Sequence, residues 1–253
     1  MDFVLTSDLD WASEYCIDDF LQIADRFSVK PTLFVTHESA AARAASDAGR
    51  VELGIHPNFL ADSDHGGDVS SVMNCVLQFA PQAIAVRSHR YVDSPQIATM
   101  LPKLGLKIDS NVCCHLMPGL GAQILPNGLL RLPVFFEDDV HWMGGHEWKF
   151  DAYGKDFLAA GLKILNFHPF FVALNIPDAD LYRRHKHHIR TLTREQAAHL
   201  RYGGPGTRTF LVQAIQTIQA AGHRFVSLSE LAEQLGYGLG TPAKAVPALS
   251  AVT

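Results

Sequence analysis

Asp8 and Asp10 sit one residue apart where the first apolar run of the chain, Phe3-Val4-Leu5-Thr6, ends. If that run is a strand, its side chains alternate faces, so both carboxylates point one way while Leu9 points into packing. Two carboxylates on one face either share a cation, or one of them is protonated or tuned as an acid or base. An Asx turn or cap opening a helix over 11–20 accounts for the pair equally well.

Other residues able to do chemistry also fall at the ends of apolar runs. His56 closes Val51-Glu52-Leu53-Gly54-Ile55, and His65 follows nine residues later on the next loop. With a nearby carboxylate they have the composition of an Asp/His/His site, which leaves positions open on Zn²⁺ or a similar ion. The alternatives are a satisfied core histidine for His56 and a polar loop histidine beside Asp62 and Asp64 for His65. Arg87 ends Ala83-Ile84-Ala85-Val86 and needs a partner, which the Asp8/Asp10 pair supplies; an ordinary structural ion pair is the rival reading. His168 follows Ile164-Leu165-Asn166-Phe167, where aromatic burial and a neighbouring carboxylate would pull its pKa in opposite directions, as in a general acid. A core histidine bonded to a carbonyl is its rival. The cluster Arg183-Arg184-His185-Lys186-His187-His188 reads as a solvated face rather than a metal or phosphate patch.

These residues need a scaffold that gathers strand ends. Short β-rich runs are expected at 3–8, 32–36, 51–56, 83–87, 106–109, 129–136, 164–167 and 224–228. Amphipathic stretches lie between them, at 17–27, 70–79, 94–104, 155–160 and 210–221. Alternating strands and helices imply a parallel sheet, and seven or eight strands in one domain favour an incomplete (β/α) barrel, whose active site lies at the C-terminal strand ends. No Gly-x-Gly-x-x-Gly follows the first strand, which removes support for a dinucleotide fold. One domain over 1–238 is expected, followed by a flexible Pro/Ala-rich tail over 239–253.

The 253 residues are 47% hydrophobic with a formal charge of −5, which supports a large core and argues against nucleic-acid binding. No stretch approaches a membrane span and no secretory leader precedes the first strand, so a cytoplasmic protein is expected. Four cysteines without C-x-x-C spacing read as reduced thiols, and thirteen histidines raise the prior for metal or acid/base chemistry.

Thr6-Ser7-Asp8-Leu9-Asp10-Trp11, Leu53-Gly54-Ile55-His56-Pro57-Asn58, Arg87-Ser88-His89-Arg90-Tyr91 and Leu165-Asn166-Phe167-His168 occur in the order of the polysaccharide deacetylase motifs. The chain thus resembles the NodB-homology superfamily, carbohydrate esterase family 4, over roughly residues 3 to 235. It is most similar to a divergent branch linked to surface-polysaccharide biosynthesis. The resemblance implies a distorted (β/α)₇ barrel and metal-dependent removal of an N-acetyl group from an amino sugar. It makes Asp8 the base, Arg87 the residue that orients it, and His168 the proton donor to the leaving amine. It makes Asp10 and His56 metal ligands. Leu9 separates aspartates that are usually adjacent. Leu60 stands where the second metal histidine is usual, so that role is assigned to His65. The ion would be divalent, Zn²⁺ first, with Co²⁺, Mn²⁺ or Ni²⁺ as alternatives. A backbone N–H between Ser88 and Tyr91 would hold the oxyanion. His89, Tyr91, Glu137, Asp138, Asp139, His141 and Trp142 are expected to line the substrate groove. The partner is an acylated amino sugar, and homo-oligomerisation is left open. A deformylase or metal-independent C–N hydrolase on the same barrel is the second reading, and a non-catalytic saccharide-binding relative the third.

Overall fold

A computed structural model of the chain describes residues 1–239; the expected tail, from residue 240 on, lies outside the described residues. Ten strands occur among them: β1 (Asp2–Asp8), β2 (Thr32–Val35), β3 (Glu52–Ile55), β4 (Ala85–Val86), β5 (Ile108–Asp109), β6 (Gln123–Ile124), β7 (Leu130–Arg131), β8 (Phe136–Glu137), β9 (Lys163–Asn166) and β10 (Arg224–Phe225). They form one curled sheet in the order β6-β7-β5-β4-β3-β2-β1-β9-β8, with β10 added beside the start of β1. Every pairing is parallel except the hairpin of β6 with β7.

The expected single strand over 129–136 is two short strands. β7 pairs with β5 and β8 pairs with β9, while Val134 between them bridges to Cys113. One run therefore crosses from one edge of the sheet to the other and closes the seam of a distorted seven-position barrel. Pro133 lies in its middle and has no N–H for a continuous ladder.

Alternation within the strands sorts the core. Val4, Phe34, Ala85, Ile108, Leu130 and Ile164 pack together inside the barrel. Leu5, Leu33, Ile55, Val86 and Leu165 belong to the larger layer beneath the helices. The next inward positions along the strands are polar: Thr6 and Asp8, Arg87, Ser110, Asn166 and His168. An apolar plug thus fills the lower barrel, and the chemically able side chains stand above it. Gly54 is required at its place, because a Cβ there would come within 2.7 Å of the Phe34 ring. That ring carries the Arg87 guanidinium at 4.3 Å.

The helix after β1 runs Glu14–Arg26 and is capped by Ser13, whose side chain accepts from the Cys16 N–H. Neither Asp8 nor Asp10 caps it, so the cap reading of the pair falls. No helix among the described residues is long and apolar enough to cross a membrane.

Lys163, buried at the start of β9, donates to the Asp156 carbonyl at 2.6 Å and lies 3.6 Å from the Phe135 ring centre. Burial pushes its amine down from 10.5 to about 8. Between those values the unfolded chain holds the proton and the folded chain does not, so this group makes stability rise with pH through that window. Lys163→Met is expected to stabilise the fold at about pH 7, with an advantage that shrinks toward about pH 10. Urea unfolding at both pH values measures this, and an equal difference at the two would refute it.

Candidate active site

Asp8, almost fully buried, accepts from Arg87 Nη1 at 2.8 Å through Oδ1 and from Asn166 Nδ2 at 3.0 Å through Oδ2. Arg87 is wholly buried; its Nε and Nη2 donate to the Ser110 carbonyl and hydroxyl, and Nη1 is also within hydrogen-bond distance of Thr6 Oγ1 and Asn166 Oδ1. A buried charge requires such pairing. The partner of Arg87 is Asp8 alone of the expected pair. Asn166 also donates to Glu137 Oε1 at 3.3 Å, which places a second carboxyl behind the first.

Asp10 reaches the same mouth by a turn, because β1 ends at Asp8 and both Asp10 and Trp11 take positive φ, 43° and 56°. Strand alternation therefore does not deliver it. His56 stands between the carboxylates, with Nδ1 3.9 Å from Asp8 Oδ1 and Nε2 3.2 Å from Asp10 Oδ1. On the other side, His89 Nδ1 lies 3.1 Å from the same Asp10 oxygen. Donor atoms of Asp10, His56 and His89 all fall within 4.8 Å of one another. Burial alone would raise the Asp10 carboxyl, but hydrogen bonds from His56 and His89 and the charge of His168 hold it well below the usual range.

His65 is not brought to this cluster, which corrects the expected ligand set. Its Nδ1 accepts from the Asn58 N–H at 3.1 Å, so Nε2 carries the proton that bonds the Thr36 carbonyl at 2.7 Å. Neither nitrogen has a lone pair left for an ion. His89, expected in the substrate groove, stands instead beside Asp10 and His56.

The chemistry of the Asp10, His56 and His89 donors fits a divalent ion of the zinc type, one carboxylate oxygen and two imidazole nitrogens converging with room for further ligands. Nε2 of His56 meets Asp10, and its buried Nδ1 has no hydrogen-bond partner.

His168, also buried, turns Nε2 toward Asp10 Oδ2 at 3.7 Å, while Nδ1 lies 2.6 Å from Asp138 Oδ1. The backbone N–H of His168 donates to the other Asp138 oxygen at 2.8 Å. Burial alone would lower the imidazole, but Asp138, then Asp10 and Asp139, hold it well above its ordinary value. Asp138 is completely buried, so it orients His168 instead of lining a groove.

The other expected groove residues divide. Tyr91 donates its hydroxyl to Glu137 Oε2. Burial, then the charge of Asp139, pushes Glu137 up to about 8, so both face inward behind Asp8. His141 is fully buried and belongs to a neutral ladder. The Glu137 N–H donates to His115 Nδ1, His115 Nε2 to His141 Nδ1, and His141 Nε2 to the Glu147 carbonyl. Burial pushes His115 down to about 3 and His141 to about 4, which keeps the ladder uncharged. Asp139 and Trp142 are half-buried, and Asp139 Oδ1 and Trp142 Nε1 have no hydrogen-bond partner. The Trp142 ring stands 6.3 Å from Phe171, which lies 4.9 Å from the His168 ring.

Sequence reasoning gave Asn166 no role, although it stands two residues before His168 and so faces the same way. Backbone strain concentrates in the loops that carry the cluster. Asp10, Trp11, Arg90 and Tyr91 are four of the eight non-glycine residues with positive φ among the described residues. Each costs about 1–3 kcal/mol and persists where surrounding contacts over-determine it.

A family model described as WbmS-like polysaccharide deacetylase matches residues 5–186. Among solved structures, WbmS of Bordetella bronchiseptica, described as a polysaccharide deacetylase involved in O-antigen biosynthesis, is 28% identical with a TM-score of 0.76, over 87% of this chain and 90% of that one. A polysaccharide deacetylase of Mycobacterium smegmatis, at 16% identity and TM-score 0.56, covers 97% and 93%. A family 4 acetyl xylan esterase of Clostridium thermocellum with a cobalt ion, at 15% and 0.53, covers 94% of both chains. These last two share the fold. A search of curated protein sequences returned no match.

Proposed function

We propose, from the premise that this chain belongs to the WbmS-like polysaccharide deacetylase family, that it removes the N-acetyl group from an amino sugar of surface-polysaccharide biosynthesis with a divalent ion at Asp10, His56 and His89. The observation that carries this reading is the convergence of three separate devices on one mouth: the Asp10/His56/His89 donors, Asp8 on Arg87, and His168 on Asp138.

When bound, the ion supplies Lewis acidity, polarising the amide carbonyl and making water acidic at neutral pH. Asp8, fixed by Arg87 and Asn166, takes the proton of the attacking water. His168 keeps its proton through Asp138, and Nε2 delivers it to the departing amine, which leaves poorly as an anion. Of the amides expected to hold the oxyanion, Ser88 N–H bonds Asn111, His89 N–H bonds the Pro57 carbonyl and Tyr91 N–H bonds the Ser88 carbonyl. The Arg90 N–H is left for that task. Asp139 and Trp142 contact the sugar.

The absence of a histidine four residues after His56 motivated the metal-independent reading, and His89 removes that motive. Chelator-stripped protein is expected to lose acetate release from acetylated amino sugars and to regain it with Zn²⁺, Co²⁺, Mn²⁺ or Ni²⁺. Full acetate release by stripped protein would overturn the proposal.

A further inference from the structure

Asp139 follows Asp138 on the short helix Asp138–Met143, whose first turn brings both carboxylates to His168. One oxygen of Asp138, one oxygen of Asp139 and one ring nitrogen of His168 lie within 4.8 Å of one another. Asp138 holds the Nδ1 side of that ring, at 2.6 Å. The charge of Asp10, on the loop after β1, reaches Asp139, and Asp139 is in turn the charge that raises Glu137 most. Asp139 therefore stands among Glu137, His168 and Asp10.

Its Oδ1 is closed to solvent and accepts no hydrogen bond among the described residues. A buried acceptor without a donor costs about 1–3 kcal/mol, and a ligand that brings the donor accounts for its retention. The neighbours cannot supply one. Asp138 and Asp10 are themselves acceptors, and the Nδ1 side of His168 is committed to Asp138. Burial, set against the His168 charge, raises the Asp139 carboxyl from 3.8 to about 6, which leaves it ionised at neutral pH.

We propose that Asp139 accepts the N–H of the scissile amide, which makes the site selective for secondary N-acetyl groups over O-acetyl esters. This deepens the deacetylase reading above and rests on it. His168 protonates the nitrogen through its lone pair, and a carboxylate within 4.8 Å of a His168 nitrogen is placed to take the N–H. Holding that hydrogen fixes which face of the nitrogen carries the lone pair as the carbonyl carbon becomes tetrahedral. The bond strengthens as the nitrogen gains positive charge, so it favours the transition state over the bound substrate. An ester oxygen in that place has no hydrogen to give. It would turn its lone pairs to the carboxylate and leave the buried acceptor unpaired.

Two measurements test the proposal. Acetate release by the metal-loaded protein is compared over a panel of amino sugars, each offered in matched forms. These are the N-acetyl sugar, its N-methyl-N-acetyl analogue, which keeps the amide but lacks the hydrogen, and the sugar O-acetylated at the same carbon. For the wild type, kcat/KM on the N-acetyl form is expected to exceed that on the N-methyl form about tenfold or more, the worth of one hydrogen bond to a charged group. In Asp139→Ala protein that ratio is expected to fall to about one, with Asp139→Asn in between, and the ratio over the ester to fall with it. Asp138→Asn weakens the hold on His168 and is expected to slow both amides alike, keeping the ratio. Both amides slowed equally by Asp139→Ala, or no wild-type preference for the N-acetyl form, would overturn the assignment. The free amino sugars, titrated calorimetrically with chelator present, are expected to bind Asp139→Ala protein about tenfold or more weakly than the wild type. Equal binding of every amino sugar by the two proteins would also overturn it. If no substrate releases acetate but the binding difference persists, the deacetylase reading fails and the nitrogen-facing carboxylate stands.

Discussion

His89→Ala protein is expected to lose its divalent ion and its acetate release together, whereas His65→Ala protein keeps both. The two histidines compete for one role, and their surroundings decide it. His65 has committed both ring nitrogens to backbone groups, so its removal leaves the Asn58 N–H and the Thr36 carbonyl to find water. That costs about 1–3 kcal/mol of stability and no ligand. His89 faces the Asp10 oxygen that His56 also faces, and without it two donor residues remain, too few to retain an ion through dialysis. Elemental analysis of dialysed protein, read beside acetate release at a temperature where both variants are folded, separates the outcomes. An ion lost from His65→Ala and kept by His89→Ala would reverse the assignment.

The mistake over His65 shows which part of the site was legible and which was not. Alternation along an apolar run foretold that Asp8, Arg87 and His168 face one mouth, because one strand's own period settles that. Which strand ends meet across the mouth depends on sheet order. β3 and β4 are neighbours with Ile55 opposite Val86. His56, one residue past the first, thus meets His89, three past the second, and proximity along a loop was the wrong guide. The run 129–136 was visible as apolar, but its split into β7 and β8 reflects two different pairing partners, which composition does not reveal. Asp138 carried an acidic signal in an acidic cluster. Its complete burial and its two bonds to His168 distinguish it from the half-buried Asp139.

Asp8→Asn protein is expected to keep its ion and to lose about 10²–10⁴-fold in acetate release, the range of a removed general base. The donors of Asp10, His56 and His89 do not include Asp8, so the metal content should match the wild type. The substitution keeps an oxygen for Arg87 Nη1 but turns an amide nitrogen toward the donating Asn166 Nδ2, and it leaves the buried guanidinium without its carboxylate. An unpaired buried charge costs about 3–5 kcal/mol, enough to confuse lost chemistry with lost folding. Glu137 limits that cost. Its carboxyl is held up to about 8 by burial and by the charges of Asp139 and Asp8, and it shares Asn166 with Asp8. With the Asp8 charge gone, Glu137 ionises more readily and supplies the negative charge that Arg87 needs. Asp8→Asn should therefore unfold at a denaturant concentration close to wild type, while the same substitution in a Glu137→Gln background should destabilise by more than the sum of the two changes. Near-wild-type turnover by Asp8→Asn would remove Asp8 as the base, and strict additivity with Glu137→Gln would show that the second carboxyl does not compensate for the first.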